Sequence, residues 1–541
     1  MIPTLFQPAA LRSEEYLPWS GGRGVDVWAM IVAATSGDLS GMQALVARDP
    51  GLLRCSYEYF SPLRFAVREN QIAIVEYLLD KGLSPVEEFG DTLTAMARDR
   101  EYWELLEVLE AAQRERYHVV PGGEEVVAAI KERSLSSLQD LIAARPDLVH
   151  AADAGGNQPI HWAVLTRQID MIDFLLGRGA DIEAMRPDGA RPIDLTNGDY
   201  TYRSWYRDLP PTGLQKHEVL IGYLMGWGAY CDISVAAKIG YYERVRELLD
   251  QDPDLVNRLP SYDGYYSGTP LRNAAAAGYI EIVRLLLDRG ADINLPEPGI
   301  APSGSALHSA IAGKQYDIVR LLLERGANAN AEMESSGDCL LMARHVGASQ
   351  EIIDLIASHA TNRSTNILAY EADPARLRRL LEVGGDVEPY LGRLINQDLR
   401  DQLEMVLAYR PEVLRDLRLD RSAWWDSFSF TSAEQARWLF QRGLSPRLCN
   451  WLGITRLHRC VEKEQTDIAA VCLEYGADIN AVEAHWSSTP LGWAARLGKE
   501  EMAKWLIAQG ADVGAPVERT WAQPAEWAKK RGHAGMVGLL H

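Results

Sequence analysis

At 541 residues, with 47% apolar and 24% charged side chains and with 15 Trp and 22 Tyr, the chain has the material for an extensive core and is not a disordered polymer. Its formal net charge of -20, without a concentrated basic face, works against nucleic acid or an anionic membrane as partner, because a polyanion recruits neither. No window approaches the roughly 18 apolar residues of a membrane span, and the six Cys (Cys55, Cys231, Cys339, Cys449, Cys460, Cys472) lie far apart with no C-x-x-C pair, which predicts reduced thiols, no zinc framework and a cytoplasmic location.

Residues 1–24 lack the basic start of a secretory signal, and Pro3, Pro8, Pro18 and Gly21-Gly22 predict an extended arm ahead of the first folded element. From Val25 onward the chain repeats itself. An apolar helix ends in a charged residue, Gly, Ala, Asp or Asn and an apolar residue at Leu175–Ile182, Leu286–Ile293 and Leu322–Asn328, and again at Gly476–Asn480 and Gly510–Asp512. The Gly stands where a helix end needs a left-handed residue. A second signature opens the next helix, as in Ser61-Pro62-Leu63, Gln158-Pro159-Ile160-His161, Thr269-Pro270-Leu271 and Thr489-Pro490-Leu491. Pro is tolerated there because the N–H it removes has no partner in a first turn.

Taken in chain order, the helix ends fall at Asp49, Gly82, near Ala112, Arg145, Gly179, Gly228, Asp252, Gly290, Gly326, His359, Gly384, Arg410, Gly443, Gly476 and Gly510, with a last unit stopping at His541. That gives about sixteen units, most of them at a period of roughly 33 to 38 residues. Period and Thr-Pro-Leu-His-x-Ala opening together resemble the ankyrin-repeat family, best seen in Thr269–Ala274 running through Glu281–Leu287 to Asp292. The resemblance implies an all-α fold, an α-solenoid of stacked helix-turn-helix repeats with projecting β-turn or hairpin fingers, over residues 25–541. It also implies that His161, His308 and His458, at the family's His position, are structural hydrogen-bonding groups and not metal ligands.

The breaks in the period carry the functional expectations. Three intervals are short (Gly228 to Asp252, His359 to Gly384, Gly384 to Arg410), enough to delete a finger while keeping both helices. The longest, Gly179 to Gly228, holds an insertion at about 197–216 between the two helices of its repeat, with Tyr200, Tyr202, Arg203, Trp205, Tyr206 and Arg207. Aromatics in a connection either pack down or meet a ligand. The finger before Thr269 carries Tyr262, Asp263, Tyr265 and Tyr266 among Ser and Gly, the chemistry of recognition loops, and the next, 296–304, is stiffened by three Pro. Trp451, Trp486 and Trp521 recur 35 residues apart, ahead of successive helix openings, and are read either as a ladder of contact indoles or as finger-to-finger packing. Trp162, Trp493 and Trp527, inside the opening helix, are core.

Catalytic spacings are thin. His217-Glu218 begins like a zinc-protease helix, but Ile221 replaces the second His, and no P-loop, dinucleotide fingerprint or nucleophile elbow occurs. Cys460 and Cys472 read as buried, inert thiols. No catalytic residue, metal or cofactor is assigned. The expected function is a protein- or peptide-binding scaffold or adaptor whose partner the sequence does not identify. The alternative is a small-substrate or carbohydrate-active enzyme, with Asp199, Arg203, Arg207 and Asp208 of the insertion near Asp263 doing acid–base work, so a small molecule or glycan stays open as ligand.

Overall fold

The computed structural model describes residues 5–87, 91–196, 216–259, 268–297, 300–333, 336–360, 374–384, 387–417 and 428–540. Short helices alternate in pairs, a first helix of seven or eight residues and a second of nine, as in Pro270–Ala277 with Ile280–Asp288, Ala306–Ala312 with Tyr316–Glu324, and Pro490–Leu497 with Glu500–Ala508. Among the described residues, paired strand is confined to two minimal hairpins, Tyr16–Leu17 with Gly22–Arg23 and Glu332–Met333 with Gly337–Asp338. The fold is an all-α repeat solenoid, as the resemblance implies.

The two helices of a pair have different burdens. Every residue of Pro159–Leu165 is buried, whereas Ile280–Asp288 buries only Ile282, Val283 and Leu286, one face of an amphipathic helix. A helix buried all round cannot be covered by its own partner. Pro270–Ala277 therefore packs between Ile233–Lys238 and Ala306–Ala312 of the flanking repeats, and each large apolar side chain so covered contributes about 1.5–3 kcal/mol.

Local chemistry sets where each helix starts and stops. Thr269 accepts the N–H of Arg272 at 3.2 Å and Thr489 that of Gly492 at 3.2 Å, capping helices whose next residue is Pro. At the other end Gly290 takes φ 89°, which lets its own N–H reach Leu287 O at 3.1 Å and the N–H of Ala291 reach Leu286 O at 2.9 Å. The His of the opening ties one repeat to the next. His161 Nδ1 accepts the N–H of Gln158 (3.0 Å), so its other nitrogen carries the proton and donates to Ala184 O (2.8 Å) in the following finger. His458 repeats this with Thr455 N (3.2 Å) and Ser488 O (3.2 Å). Their structural role is the one the resemblance implies. Trp162, Trp493 and Trp527 are buried, as are Cys460 and Cys472.

The chain divides into two compact units. One comprises Leu63–Ala97 and Trp103–Arg363; the other comprises Met1–Pro62, Arg98–Tyr102 and Ser364–His541. Within the second unit, residues from early in the sequence pack on the last repeats: Phe6 donates its N–H to Trp451 O (2.9 Å), and Arg100 donates to His485 O (2.9 Å). Residues 5–24 thus include a 3-10 turn at Ala10–Arg12, the Tyr16–Arg23 hairpin and a contact to Trp451.

Two of the three short intervals delete a finger. After Gly228 the next helix opens at Ile233, and after Gly384 at Glu388, whereas Gly290 and Gly476 are followed by helices opening at Ala306 and Pro490. The third interval spans 361–373, outside the described residues.

Candidate functional site

The deletion after Gly228 leaves a notch flanked by aromatic side chains. Trp227, at the end of the preceding His217–Gly226 helix, is 45% exposed and Tyr230 50%, on either side of the deletion, whereas Tyr241 (46%) and Tyr242 (37%) stand at the turn between Ile233–Lys238 and Tyr242–Gln251. The Trp227 indole donates to the Tyr223 hydroxyl and the Tyr230 ring lies against Arg244, while the apolar packing of the second helix comes from Val245, Leu248 and Leu249.

The backbone carrying Tyr230 is fixed from beneath. The Arg191 guanidinium, 8% exposed, donates to Tyr230 O (3.2 Å), to Asp232 (2.9 Å), to Asp194 (3.0 and 3.2 Å) and to Glu183 (3.2 Å). Glu183 in turn accepts the N–H of Tyr230 at 2.7 Å. Burial opposes the Arg191 charge, but its three carboxylate partners more than offset that and hold its pKa above the usual arginine value. Asp232 caps the next helix through Val235 N at 2.9 Å. Arg244, reaching back to Cys231 O (3.3 Å), places its guanidinium carbon 5.7 Å from the Tyr230 ring centre, and its charge is favoured by the hydrogen bond to Glu247. Burial pushes the Cys231 thiol up to about 11, which leaves it un-ionised at neutral pH. Tyr230 is therefore presented on rigid backbone, which lowers the entropy lost when a partner covers it.

The sequence-derived candidates fall in different places. Tyr200, Tyr202, Arg203, Trp205, Tyr206 and Arg207, with the insertion that carries them, lie outside the described residues, as do Tyr262, Asp263, Tyr265 and Tyr266. The described flanks place the insertion between the Pro192–Leu195 turn and the His217–Gly226 helix of one repeat. The notch aromatics stand between these two segments in the sequence. Periodicity does not single them out; the signal that points to Trp227 and Tyr230 is the 24-residue interval itself, since both stand where the finger is missing.

The three Trp that recur 35 residues apart have internal neighbours. Trp451 is 1% exposed and packs edge-on against Tyr57 (5.4 Å between centres) and Phe60 (5.6 Å). Trp486, half-buried, has the Arg496 guanidinium 4.3 Å from its centre, and that guanidinium also lies 4.8 Å from Trp527. Trp521, half-buried, holds Arg100 at 4.7 Å and meets Trp527 at 6.0 Å. The reason is topological: Tyr57, Phe60 and Arg100 come from the first part of the chain, which no local reading brings to residues 451–527. Replacing Trp451 by Ala is expected to cost about 3–5 kcal/mol, the range for a fully buried large aromatic, measured as a lower urea midpoint for the second unit; a loss under about 1 kcal/mol would mean that the site collapses or is wet.

Two acidic residues missed in the sequence organise fingers. Asp153 accepts the N–H groups of Gly155 (3.0 Å) and Asn157 (2.9 Å) and the Trp162 indole (2.7 Å). Glu483 does the same for His485, Trp486 (3.0 Å), Ser488 (3.1 Å) and the Trp493 indole (3.2 Å). His217 pairs with Glu218 at 3.4 Å. No helix among the described residues is long and apolar enough to cross a membrane.

Comparison with known proteins agrees with this geometry. Residues 233–333 and 428–516 match the family described as ankyrin repeats (3 copies), and residues 126–176 match ankyrin repeats (many copies). The chain is 37% identical over 82 residues to the ankyrin repeat protein FPV014 of fowlpox virus, covering 15% of this chain and 19% of that one. It is 38% identical over 60 residues to the palmitoyltransferase akr1 of Schizosaccharomyces pombe, covering 11% of this chain and 9% of that one. The chain thus spans less than a fifth of either relative, and the likeness is one of repeats. With the paired helices, the Gly-ended second helix, the His tie between repeats and these matches in hand, the chain is an ankyrin-repeat protein.

Proposed function

We propose that the chain is a protein- or peptide-binding scaffold whose contact surface centres on the notch at residues 227–242, flanked in sequence by the 197–216 insertion and the Tyr-rich finger at 261–268. Ankyrin repeats generally serve protein interaction, although a fold does not by itself name a partner. The observation that carries the proposal is the pair of exposed rings Trp227 and Tyr230 on either side of the missing finger, with Tyr241 and Tyr242 exposed at the turn of the same repeat. Tyr and Trp bury much area with few torsions and dominate contact energies, so a few such residues suffice for specific recognition.

Changing Tyr230, Tyr241 and Trp227 together to Ala is expected to weaken retention of the partner at least about tenfold, since each anchor contributes on the order of 1–2 kcal/mol, with thermal unfolding little changed because the side chains are exposed. A second variant, with Trp205, Tyr265 and Tyr266 changed to Ala, tests the two flanking segments. A photo-crosslinking residue placed at Tyr230, compared with one at the exposed Trp103 of another repeat, reads the site directly in extracts of the native host. Equal labelling from both positions, or unchanged retention by both triple variants, overturns the proposal.

A further inference from the structure

The cavity with the most distinctive chemistry lies in the unit that contains both chain ends. It is an open cleft of about 330 Å³ between the stretch Phe6–Arg12 on one side and Ser445–Trp451 on the other. Its walls are apolar at Phe6, Leu448 and Trp451, and polar chiefly at Arg12, Arg447 and Asn450. No Asp or Glu lines it, although the chain has 75 of them.

Both guanidinium groups are left with charge to spare. Arg12 donates to Gln7 O (2.9 Å) and Arg447 to Gly476 O (3.1 Å), and neither has a carboxylate partner among the described residues. Elsewhere among the described residues Arg is answered by Asp or Glu, as at Arg191, Arg272 and Arg400. Asn450 adds a buried amide to the wall. Its Oδ1 accepts the N–H groups of Leu452 (3.1 Å) and Ile454 (2.9 Å), which fixes the amide orientation. Its Nδ2 has no acceptor, and the residue is 1% exposed.

Two cations without a carboxylate partner, beside an aromatic and aliphatic wall, select an anion carried on an apolar body. The geometry points to a binding site for a small free carboxylic acid: the carboxylate is held by Arg12 and Arg447, and the apolar part lies against Phe6, Leu448 and Trp451. Arg forks match a planar carboxylate, and a cavity of this size sits at the low end of small-ligand pockets, suited to an acid of about ten carbons. The site shares no residue with the partner surface proposed above, so either assignment can fail without the other.

Calorimetric titration of the full chain with decanoate, decanol and N-acetyl-leucyl-leucine tests the assignment. Decanoate is expected to bind once per chain and at least about tenfold more tightly than decanol. Arg12→Ala and Arg447→Ala are each expected to weaken decanoate binding about tenfold, and Asn450→Asp, which puts a like charge into the wall, to abolish it. Both Arg are exposed, so their variants should unfold at the parent temperature; Arg447→Lys, which keeps the charge, should recover part of the affinity. Equal binding of decanoate and decanol, unchanged affinity in the Arg12→Ala/Arg447→Ala double variant, or binding of the peptide acid in place of decanoate would each overturn a free-acid site.

Discussion

Glu483→Ala is expected to destabilise the second unit by about 4 kcal/mol, because four buried donors lose their shared acceptor and each unsatisfied one costs about 1–3 kcal/mol. Glu483 has no exposed surface. Burial pushes its pKa up, against the pull of the Trp493 indole and the N–H groups of Ser488, Trp486 and His485. The carboxyl group thus works as a hub for a turn whose backbone would otherwise lie buried without acceptors. Glu483→Gln keeps one acceptor oxygen but turns an NH2 group toward the donors, so an intermediate loss is expected. Urea unfolding gives the energies, and hydrogen exchange at the amides of His485, Trp486 and Ser488 locates them. Unchanged protection at those three amides in the Ala variant would show that the finger holds itself without the carboxylate.

The same hub shows what a sequence reveals and what it conceals. The acid stands nine residues before the Trp as Asp153 and ten before it as Glu483, the longer side chain matching the longer spacing. That signal is visible in the sequence, but only once the Trp is known to need an acceptor. The repeat itself was legible because its determinants are local: a Thr or Gln cap, Pro in the first turn, His beside it, Gly at the end. The surroundings of Trp451 and Trp521 were not, because Tyr57, Phe60 and Arg100 reach them from hundreds of residues away, and tertiary contact of that kind leaves no periodic trace. The notch lies between these cases. Its missing finger could be counted from the interval, whereas the exposure of Trp227, Tyr230, Tyr241 and Tyr242 depends on how closely the neighbouring repeats approach.

Acid is expected to act on the repeat ties before it acts on most carboxylates. Burial lowers the pKa of His161 to about 4, of His308 to about 4 and of His458 to about 3. In the unfolded chain each imidazole titrates near 6.5. Above that value both states are neutral and these residues give no pH dependence. Below it the unfolded chain binds protons that the folded chain refuses, so stability falls as pH drops, by up to about 1.4 kcal/mol per pH unit for each His. The loss ends only near the folded pKa values. From pH 6.5 to pH 5 the expected loss is about 1.6 kcal/mol per His. Geometry gives the same sign: at His161 and His458 a second proton on Nδ1 would face the N–H of Gln158 or Thr455 in place of accepting it. Urea midpoints measured at pH 7.5, 6.5, 5.8 and 5.0 should fall steadily below 6.5. His161→Gln should lower stability at pH 7.5 yet flatten the slope between 6.5 and 5.0 by about 1.1 kcal/mol per pH unit on average. Imidazole C–H resonances of the three residues that stay fixed from pH 7.5 to 5.0 would support this reading, and a midpoint near 6.5 for any of them would show that its ring is free to leave the N-cap and take up a proton in water.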